Sequence, residues 1–541
     1  FGWLIFTALL VSRYSEVIAQ PPLISPKPKL KSLQAPSIEP RRDPALPDET
    51  TAGNDRDAWF LIEYDGATIG YESLTTTDFM RPDSESEKSD PQETLLPVRR
   101  IRETHLKLNR FGNDLSVSAH LETVETVDGT LQQWSLRRTA GDGSTMQRSA
   151  VWDPSRHAFL LKEVSPSQEK AELLQSRVQP RSPILSAWLA APELQRPQQW
   201  ASAVLFPETS VIADVEIRRL SPQSLRLKDG TTIAVTRYEY WPSNQPDLRS
   251  TLFYDSEQQL VLIEQPLLGR TLRFHRTDAA TALGEENLEA LDLQFLTGLP
   301  LRRPLLNLEK SSTVRMLVAV GESEQISLPS GDFQSVEQTV PHMLIVTLSR
   351  PTVESDNLTM SRTPRVPKRP DRKFTDNSRW LNSKDDDVRR MAAIGGGAVS
   401  EPHEKCRRLT SYVASHVRLS AFSTSLRPAS EVAKSRQGDC TEFAVLLAAL
   451  MRSEGVPSRV AVGFAYVPNP PSLAPHMWTE AWIDGQWIPF DATLGVEVNP
   501  LTRVKVTDSP LTDSVTSGTL LFVPLLKFMG RATVEILPEK N

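Results

Sequence analysis

The sequence predicts a multidomain protein in which mostly antiparallel β structure is followed by a C-terminal α+β region. Three observations support this fold class. The chain has 541 residues, more than one hydrophobic core usually organises. Residues 57–280 contain short β-prone runs separated by turn residues. Helical spacing dominates residues 381–455, and a hairpin pattern follows it.

Composition excludes several classes of function. The net charge of −6 is small for this length, so bulk charge predicts neither nucleic-acid binding nor attachment to a membrane surface. The chain has no phosphate-binding GxxxxGK[ST] motif, no dinucleotide-binding GxGxxG motif and no CxxC pair. We therefore expect no metal and no organic cofactor.

The beginning of the sequence resembles an export signal. GWLIFTALLV, residues 2–11, is apolar but shorter than the roughly 20 residues of a membrane-spanning helix. Val17-Ile18-Ala19 resembles a small-residue cleavage site. We predict that residues 1–19 are a signal peptide or an N-terminal anchor, and that the protein is periplasmic, envelope-bound or extracellular. A buried N-terminal helix is the alternative.

Shifts in composition divide the rest of the chain. Asp65-Gly66 lies between two apolar β-prone runs and predicts a hairpin. Residues 281–294 have a brief helical pattern. The predicted divisions are a Pro-rich disordered linker at 20–56, a β-rich domain at 57–280, a smaller β-rich region at 281–350, a polar connector at 351–380, the α+β region at 381–510 and a C-terminal extension at 511–541.

The chain has two cysteines with different surroundings. Cys406 shares an apolar stripe with Leu409 and Val413 at helical spacing, which predicts a buried position. Cys440 ends the turn-forming sequence GDC, and the helical pattern TEFAVLLAALMRSEG follows it. Three interpretations of Cys440 are a buried small hydrophobe, a disulfide with Cys406 and a nucleophile.

The nucleophile interpretation rests on the predicted position of Cys440 in the first turn of a helix. Free backbone N–H groups and the helix dipole stabilise a thiolate there. A nucleophilic thiol also needs a base, and His476 is the histidine that follows it in the sequence. A disulfide with Cys406 is less favoured, because that cysteine belongs to the core face of another helix.

The sequence around His476 predicts a hairpin that brings a carboxylate beside it. HMWTEAWI and QWIPFDAT are β-prone runs separated by Asp484-Gly485, a type I′ turn signal. A two-residue turn pairs Ile483 with Gln486 and, further along, Trp478 with Asp491. His476 and Asp491 then lie on one face as diagonal neighbours. The spacing thus predicts a nucleophile, a base and a group that orients the base.

These motifs resemble the transglutaminase-like superfamily of bacterial exported proteins. GDCTEFAVLLAALMRSEGVPSRVAVGF and HMWTEAWIDGQWIPFDATLG contain the family's Gly-x-Cys helix start, its Gly-Val-Pro-x-Arg strand entry, its His-x-Trp-x-Glu strand and its final Trp-x-x-x-Asp strand. The resemblance covers about residues 380–510. It implies a papain-like α+β core with a catalytic triad of Cys440, His476 and Asp491.

The same resemblance assigns expectations to neighbouring residues. An oxyanion hole is expected from the Cys440 backbone N–H and a second donor, for which Gln437 is the candidate. Arg459 and Glu480 match family positions and are expected to serve structure, and the three tryptophans at 478, 482 and 487 are expected to pack the hairpin. The chain departs from the pattern at Phe443, where relatives often have His.

The expected activity is exported, thiol-dependent acyl transfer on peptide or glutamine-type amides, as a cysteine protease or amidase or as a transglutaminase. The expected partner is a protein or peptide substrate, with cell-wall peptide as a special case. The alternative is a non-catalytic binding or assembly module of the cell envelope. The sequence leaves hydrolysis and transfer open, because the acceptor depends on the shape of the cleft.

Overall fold

The computed structural model describes residues 55–538. The gaps in this description are residues 79–96, 111–112, 140–142, 144, 165–168, 190–196, 209, 244–247, 269, 285–287, 293–295, 323, 351–369, 420–425 and 515–517. The predicted signal or anchor at 1–19, nearly all of the linker at 20–56 and most of the connector at 351–380 lie outside the described residues. Within the described part, no helix is both long and apolar enough to cross a membrane.

The N-terminal region is a large antiparallel sheet, as predicted. Among the described residues it contains fifteen strands, and fourteen follow the order β8 to β1 and then β14 to β9. Their bounds are β1 (Asp55–Tyr64), β2 (Ala67–Asp78), β3 (Pro97–Arg110), β4 (Asn113–Thr126), β5 (Leu131–Thr139), β6 (Thr145–Asp153), β7 (Ala158–Val164), β8 (Glu169–Gln175), β9 (Gln199–Phe206), β10 (Val211–Arg226), β11 (Thr232–Pro242), β12 (Ser250–Tyr254), β13 (Leu260–Leu267) and β14 (Arg270–Thr277).

Alternation and turn chemistry explain this sheet. In β1, Phe60, Ile62 and Tyr64 are buried while the residues between them are half-buried, which is the period-two pattern of a strand with one core face. The predicted Asp65-Gly66 turn joins β1 to β2, and both residues have positive φ, 53° and 87°. These angles are those of a type I′ hairpin turn.

Two short helices accompany the sheet, α1 (Leu185–Trp188) and α2 (Ala279–Ala282). The helical pattern predicted over 281–294 is wrong for most of its described length. The helix ends at Ala282, and β15 (Leu291–Asp292) pairs with β3 in parallel. The free energy gained when Leu291 pairs with β3 outweighs the weak helical preference of this segment.

A smaller antiparallel sheet follows, in the strand order β18, β19, β17 and β27. The strands are β17 (Thr313–Ala319), β18 (Gln334–Val340), β19 (Met343–Ser349) and β27 (Thr533–Leu537). The last strand comes from the predicted C-terminal extension and pairs with β17. Strands β17 and β27, which are more than 200 positions apart in the sequence, therefore lie side by side in one sheet.

The C-terminal α+β region has four helices and one main sheet among its described residues. The helices are α3 (Asp386–Gly396), α4 (Pro402–His416), α5 (Ala429–Ser435) and α6 (Cys440–Ser453). The main sheet has the order β25 (Val496–Glu497), β24 (Gln486–Asp491), β23 (Pro471–Ile483), β22 (Ser458–Pro468) and β26 (Arg503–Ser509), with β16 (Leu299–Pro300) also on β23 and the pair β20 (Arg418–Leu419) and β21 (Gln437–Gly438) nearby.

Helix α6 is the centre of this region. Its residues 440–452 are all buried, which is typical of a helix surrounded by other elements. The Thr479 hydroxyl on β23 donates to the Ala444 carbonyl of α6 at 2.9 Å. Helix α6 thus lies directly on the strand that carries His476.

The smaller sheet contacts the back of the main sheet through Gln334. The Gln334 side-chain amide donates to the Lys505 carbonyl at 2.9 Å and accepts from the Lys505 N–H at 2.8 Å. Nearby, the Asp332 carboxylate accepts from the Trp487 N–H at 2.8 Å. These bonds attach two strands of the main sheet to a segment more than 150 positions earlier in the chain.

Substitution of Gly463 tests how closely β22 and β26 approach each other. A Cβ at this position would lie 2.0 Å from the Val504 carbonyl oxygen, so Gly463→Ala forces the two strands apart. We expect the free energy of unfolding to fall by more than about 2 kcal/mol, measured by chemical denaturation. Gly284→Ala is the control, because its nearest contact would be an ordinary 3.5 Å. An equal effect of the two substitutions would contradict the packing argument.

Candidate active site

Cys440 is the first residue of α6, as predicted, and the turn before it is firmly held. The Asp439 carboxylate accepts from the Thr441 N–H at 2.9 Å, and the Glu442 carboxylate accepts from the Asp439 N–H at 2.9 Å. This reciprocal arrangement is a capping box. It fixes the helix start, and with it the position of the Cys440 thiol.

Gly438 is required by the close packing of this turn. A Cβ at position 438 would lie 2.3 Å from the Glu442 Cβ. Arg436, two residues earlier, has a positive φ of 51° and ends α5 in the left-handed conformation. The chain therefore reverses between α5 and α6 within a few residues and presents Cys440 at the second helix's N-terminus.

The predicted hairpin around His476 is confirmed in register. Asp484 and Gly485 have φ values of 49° and 87°, and Ile483 pairs with Gln486. The pairing continues without a shift to Thr479 and Phe490. Asp491 is the last residue of β24 and therefore lies near His476 on β23.

His476 and Asp491 form a direct hydrogen bond. His476 Nε2 lies 2.7 Å from Asp491 Oδ2. The other carboxylate oxygen, Oδ1, accepts from the Thr493 N–H at 3.0 Å. The bond to Nε2 leaves the opposite ring nitrogen available to other groups, and the Cys440 side chain is among the groups that raise the pKa of His476.

The sequence reasoning missed Arg503. Arg503 Nη2 donates to Asp491 Oδ2 at 2.8 Å, the same oxygen that contacts His476. Arg503 is the first residue of β26, a strand that is separated from β24 by two others. A cationic residue that begins a strand is common, so nothing local in the sequence identifies this contact.

These contacts determine the protonation of the pair. Burial lowers the pKa of His476, but the charge and hydrogen bond of Asp491, together with Cys440, outweigh burial and raise the pKa from 6.5 to about 9. Burial raises the pKa of Asp491, but His476 and Arg503 outweigh it and hold that pKa far below 3.8. At neutral pH the pair is an imidazolium and a carboxylate.

Cys406 has a different environment, and the disulfide alternative is wrong. Both cysteines are free thiols. Cys406 is fully buried on the predicted stripe with Leu409 and Val413, and burial raises the pKa of its thiol from 9.0 to about 12. It is therefore an inert internal reference for Cys440.

Gln437 lies three residues before Cys440, as the sequence dictates, and it is exposed. Its backbone pairs with Arg418 in the short β20–β21 ladder, and its carbonyl accepts from Arg427 Nη2 at 2.7 Å. No contact described here links its side chain to the Cys440 thiol. Its role as an oxyanion donor stays a prediction.

The other residues expected from the resemblance lie in structural positions. Arg459 Nε donates to Glu480 at 2.7 Å, and Arg459 Nη1 donates to Asp508 at 3.0 Å. Trp482 and Trp487 form an edge-to-face pair with ring centroids 5.3 Å apart. Phe443 is buried within α6.

Access to the thiol is restricted. Cys440 is 4% exposed, the His476 side chain is 15% exposed and the Asp491 side chain is 1% exposed. Little of the thiol surface is therefore accessible to a substrate in this conformation. Among the described residues, no group of three or more His, Cys, Asp or Glu side chains is placed to hold a metal ion.

Comparison with known proteins identifies the region that contains this site. Residues 391–492 match the sequence model of the Transglutaminase-like superfamily. These residues are a transglutaminase-like domain. The matched segment includes Cys440, His476 and Asp491 and ends before Arg503. No curated protein matches the chain.

Three solved structures overlap with parts of the chain. A "putative cysteine protease" from Cytophaga hutchinsonii is 20% identical over 41% of this chain and 85% of its own, with a TM-score of 0.27. The periplasmic domain of TgpA from Pseudomonas aeruginosa, bound to ethylmercury, is 15% identical over 35% and 92%, with a TM-score of 0.22. A β-barrel-like DUF1849 protein from Brucella abortus is 9% identical over 41% and 95%, with a TM-score of 0.28. At these scores the overlap is too loose to transfer an activity.

Asp491→Asn tests the cause of the raised His476 pKa. Without the carboxylate charge the effect of burial dominates, so we expect the pKa of His476 to fall from about 9 by at least about one unit. The measurement is a pH titration of the histidine-labelled full chain by NMR, with His476→Ala to assign the signal. Asp508→Asn removes a carboxylate that binds Arg459 and should leave the pKa of His476 in place. An unchanged His476 pKa in Asp491→Asn would show that a group other than Asp491 raises it.

Proposed function

We propose that the transglutaminase-like domain catalyses thiol-dependent acyl transfer from peptide or glutamine-type amides, with Cys440, His476 and Asp491 as a triad. The hydrogen bond between His476 and Asp491 at 2.7 Å, beside a cysteine at a buried helix N-terminus, is the observation that carries this proposal. Membership of the superfamily supports a thiol-dependent enzyme at that coarser level.

The proposed first half-reaction uses the protonated imidazole. The Cys440 thiolate attacks the amide carbonyl carbon and forms a C–S bond. His476 donates its proton to the departing amine as the C–N bond breaks, and a thioester remains on Cys440. Asp491 keeps His476 oriented and stabilises its positive charge throughout this step.

The second half-reaction consumes the thioester. His476, now neutral, takes a proton from water or from a primary amine, which attacks the thioester carbonyl. Water gives a carboxylic acid, and an amine gives a new amide. Both routes regenerate the thiolate and the imidazolium. The Cys440 N–H and the Gln437 side chain are the proposed donors to the tetrahedral oxyanion.

We further propose that the protein acts outside the cytoplasm. The apolar run at residues 2–11, with a cleavage-site-like Val17-Ile18-Ala19 after it, supports export, although that segment lies outside the described residues. The proposed substrate is then an extracellular or envelope protein or a cell-wall peptide. Release of amino groups from purified peptidoglycan would support the cell-wall peptidase version.

The burial of Cys440 favours a second candidate function. A thiol that is 4% exposed is also what a non-catalytic binding or assembly module on the same fold would have. In that case the ion pair of His476 and Asp491 would serve only stability. The reactivity of the thiol distinguishes the two candidates.

Alkylation with iodoacetamide at several pH values, mapped by mass spectrometry, tests thiol activation. We expect Cys440 to be labelled below pH 7, because an imidazolium beside it stabilises the thiolate. Labelling should slow by about tenfold or more in His476→Ala. Cys406 in the same sample is the reference and should not react in the folded chain.

Labelling of Cys440 that is no faster than labelling of Cys406 in the unfolded chain would contradict the enzyme proposal and favour the binding module. Iodoacetamide is chosen because it is a small reagent and Cys440 is only 4% exposed. A slow rate at the thiol in both wild type and His476→Ala would have the same meaning.

The pH dependence of turnover tests the role of the imidazolium. Because His476 must hold a proton to release the amine, turnover on a glutamine-containing peptide should fall as the pH rises through about 9. Ammonia release without an added amine reports hydrolysis, and incorporation of a primary amine into the peptide reports transfer. Cys440→Ser should lose at least about a hundredfold of this activity. Turnover that keeps rising well above pH 9 would exclude His476 as the acid.

A further inference from the structure

Asp491 is held between two cations. His476 Nε2 and Arg503 Nη2 both contact Asp491 Oδ2, at 2.7 and 2.8 Å. The Arg503 side chain is 7% exposed, and the Asp491 side chain is 1% exposed. Both contacts are therefore made away from solvent, where charges interact strongly.

Arg503 is itself fixed by the residue before it. Arg503 Nη1 donates to the Thr502 carbonyl at 3.2 Å and to the Thr502 hydroxyl at 3.0 Å. Thr502 ends a short 3₁₀ helix that is capped by Asn499, whose side chain accepts from the Leu501 N–H. The guanidinium therefore approaches Asp491 from a rigid turn.

We propose that Arg503 is a positioning residue that fixes the Asp491 carboxylate for His476 and limits how firmly His476 holds its proton. This inference rests on the proposed function, since it concerns the same thiol, imidazole and carboxylate. Three of these groups form a row of alternating charge beside the Cys440 thiol: the His476 imidazolium, the Asp491 carboxylate and the Arg503 guanidinium.

The physical basis is the shared oxygen. A buried carboxylate stabilises a single cationic partner most strongly. Because Arg503 binds the same oxygen of Asp491, the carboxylate stabilises the His476 imidazolium less. The positive charge of Arg503 also opposes a second positive charge on His476. Loss of Arg503 should therefore raise the pKa of His476 above about 9 and raise the pKa of Asp491 from its lowered value.

Other charged groups around the pair are engaged elsewhere. The Lys505 ammonium contacts the Glu480 carboxylate at 3.1 Å and Asp508 at 3.6 Å. The titratable or charged groups on the elements around the pair include Cys440 and Glu442 on α6, Asp439 at the N-cap of α6, His403 on α4, Glu480 on β23, and Arg503 with Lys505 on β26. Within the described part of the chain, Arg503 is the cation bonded to Asp491 besides His476.

The test compares Arg503→Met and Arg503→Gln with Arg503→Lys in the full-length chain. The readouts are the NMR titration of His476 and the alkaline limit of turnover. Met and Gln remove the charge, so both readouts should move up by about one pH unit. Gln keeps an N–H donor and provides a second neutral variant if Met does not fold. Arg503→Lys keeps the charge, so the His476 midpoint and the alkaline limit of turnover should stay near their wild-type values.

Arg459→Met is the matched control. Arg459 is also an arginine of the main sheet with a largely covered side chain, 12% exposed, and two carboxylate partners, but those partners are Glu480 and Asp508. Its loss should lower stability without moving either midpoint. Arg503 variants that reduce stability or turnover with an unmoved His476 midpoint would overturn the proposal and leave a structural role.

The two proposals fail in different ways. In the first case, the His476 midpoint moves in Arg503→Gln but Cys440 resists alkylation in the wild type. This result would keep the coupling of Arg503 to His476 and reject the proposed enzyme activity. Rapid alkylation of the wild type with the same His476 midpoint in all Arg503 variants would keep the enzyme and reject Arg503 as a positioning residue.

Discussion

The neutralisation of one buried carboxylate is the constraint on which the C-terminal region depends. Asp491 has almost no contact with solvent and accepts from His476, Arg503 and the Thr493 N–H. Removing one partner from a buried ion pair typically costs about 3–5 kcal/mol, because the remaining charge is left without compensation. The main sheet must therefore hold β23, β24 and β26 in a fixed relation, and the same relation creates the candidate site.

Strand order explains how distant parts of the chain meet at this carboxylate. Strand β22 lies between β23 and β26, and Gly463 on it allows a close approach to Val504 that a side chain would prevent. The amide of Gln334 then holds the backbone of Lys505 from the smaller sheet. The position of Arg503 is thus determined from both sides of β26, by its neighbouring strand and by a separate sheet.

Local patterns made much of the candidate site predictable. The Asp484-Gly485 turn fixes the register of β23 and β24, and this register alone brings Asp491 to His476. The sequence GDC before an apolar helical pattern likewise predicts the helix start at Cys440. Period-two alternation and Asp-Gly turns were sufficient to predict the large antiparallel sheet, although not the order in which its strands pair.

The features that escaped prediction depend on contacts between distant segments. Arg503 has no local signal in the sequence, because its partner Asp491 lies on a strand that two other strands separate from β26. Residues 533–537 pair with β17 across more than 200 positions, and Leu291 pairs with β3 across a similar distance. Short runs of this kind have little intrinsic preference, so the partner strand decides their conformation.

The family match covers only part of these distant contacts. The transglutaminase-like match ends at residue 492, whereas Arg503, Lys505 and β27 follow it and Gln334 precedes it. A fragment limited to the matched residues would keep Cys440, His476 and Asp491 but lose the second cation on Asp491. Its carboxylate would then face His476 alone. The second cation on Asp491 is therefore supplied by a residue outside the segment that matches the family.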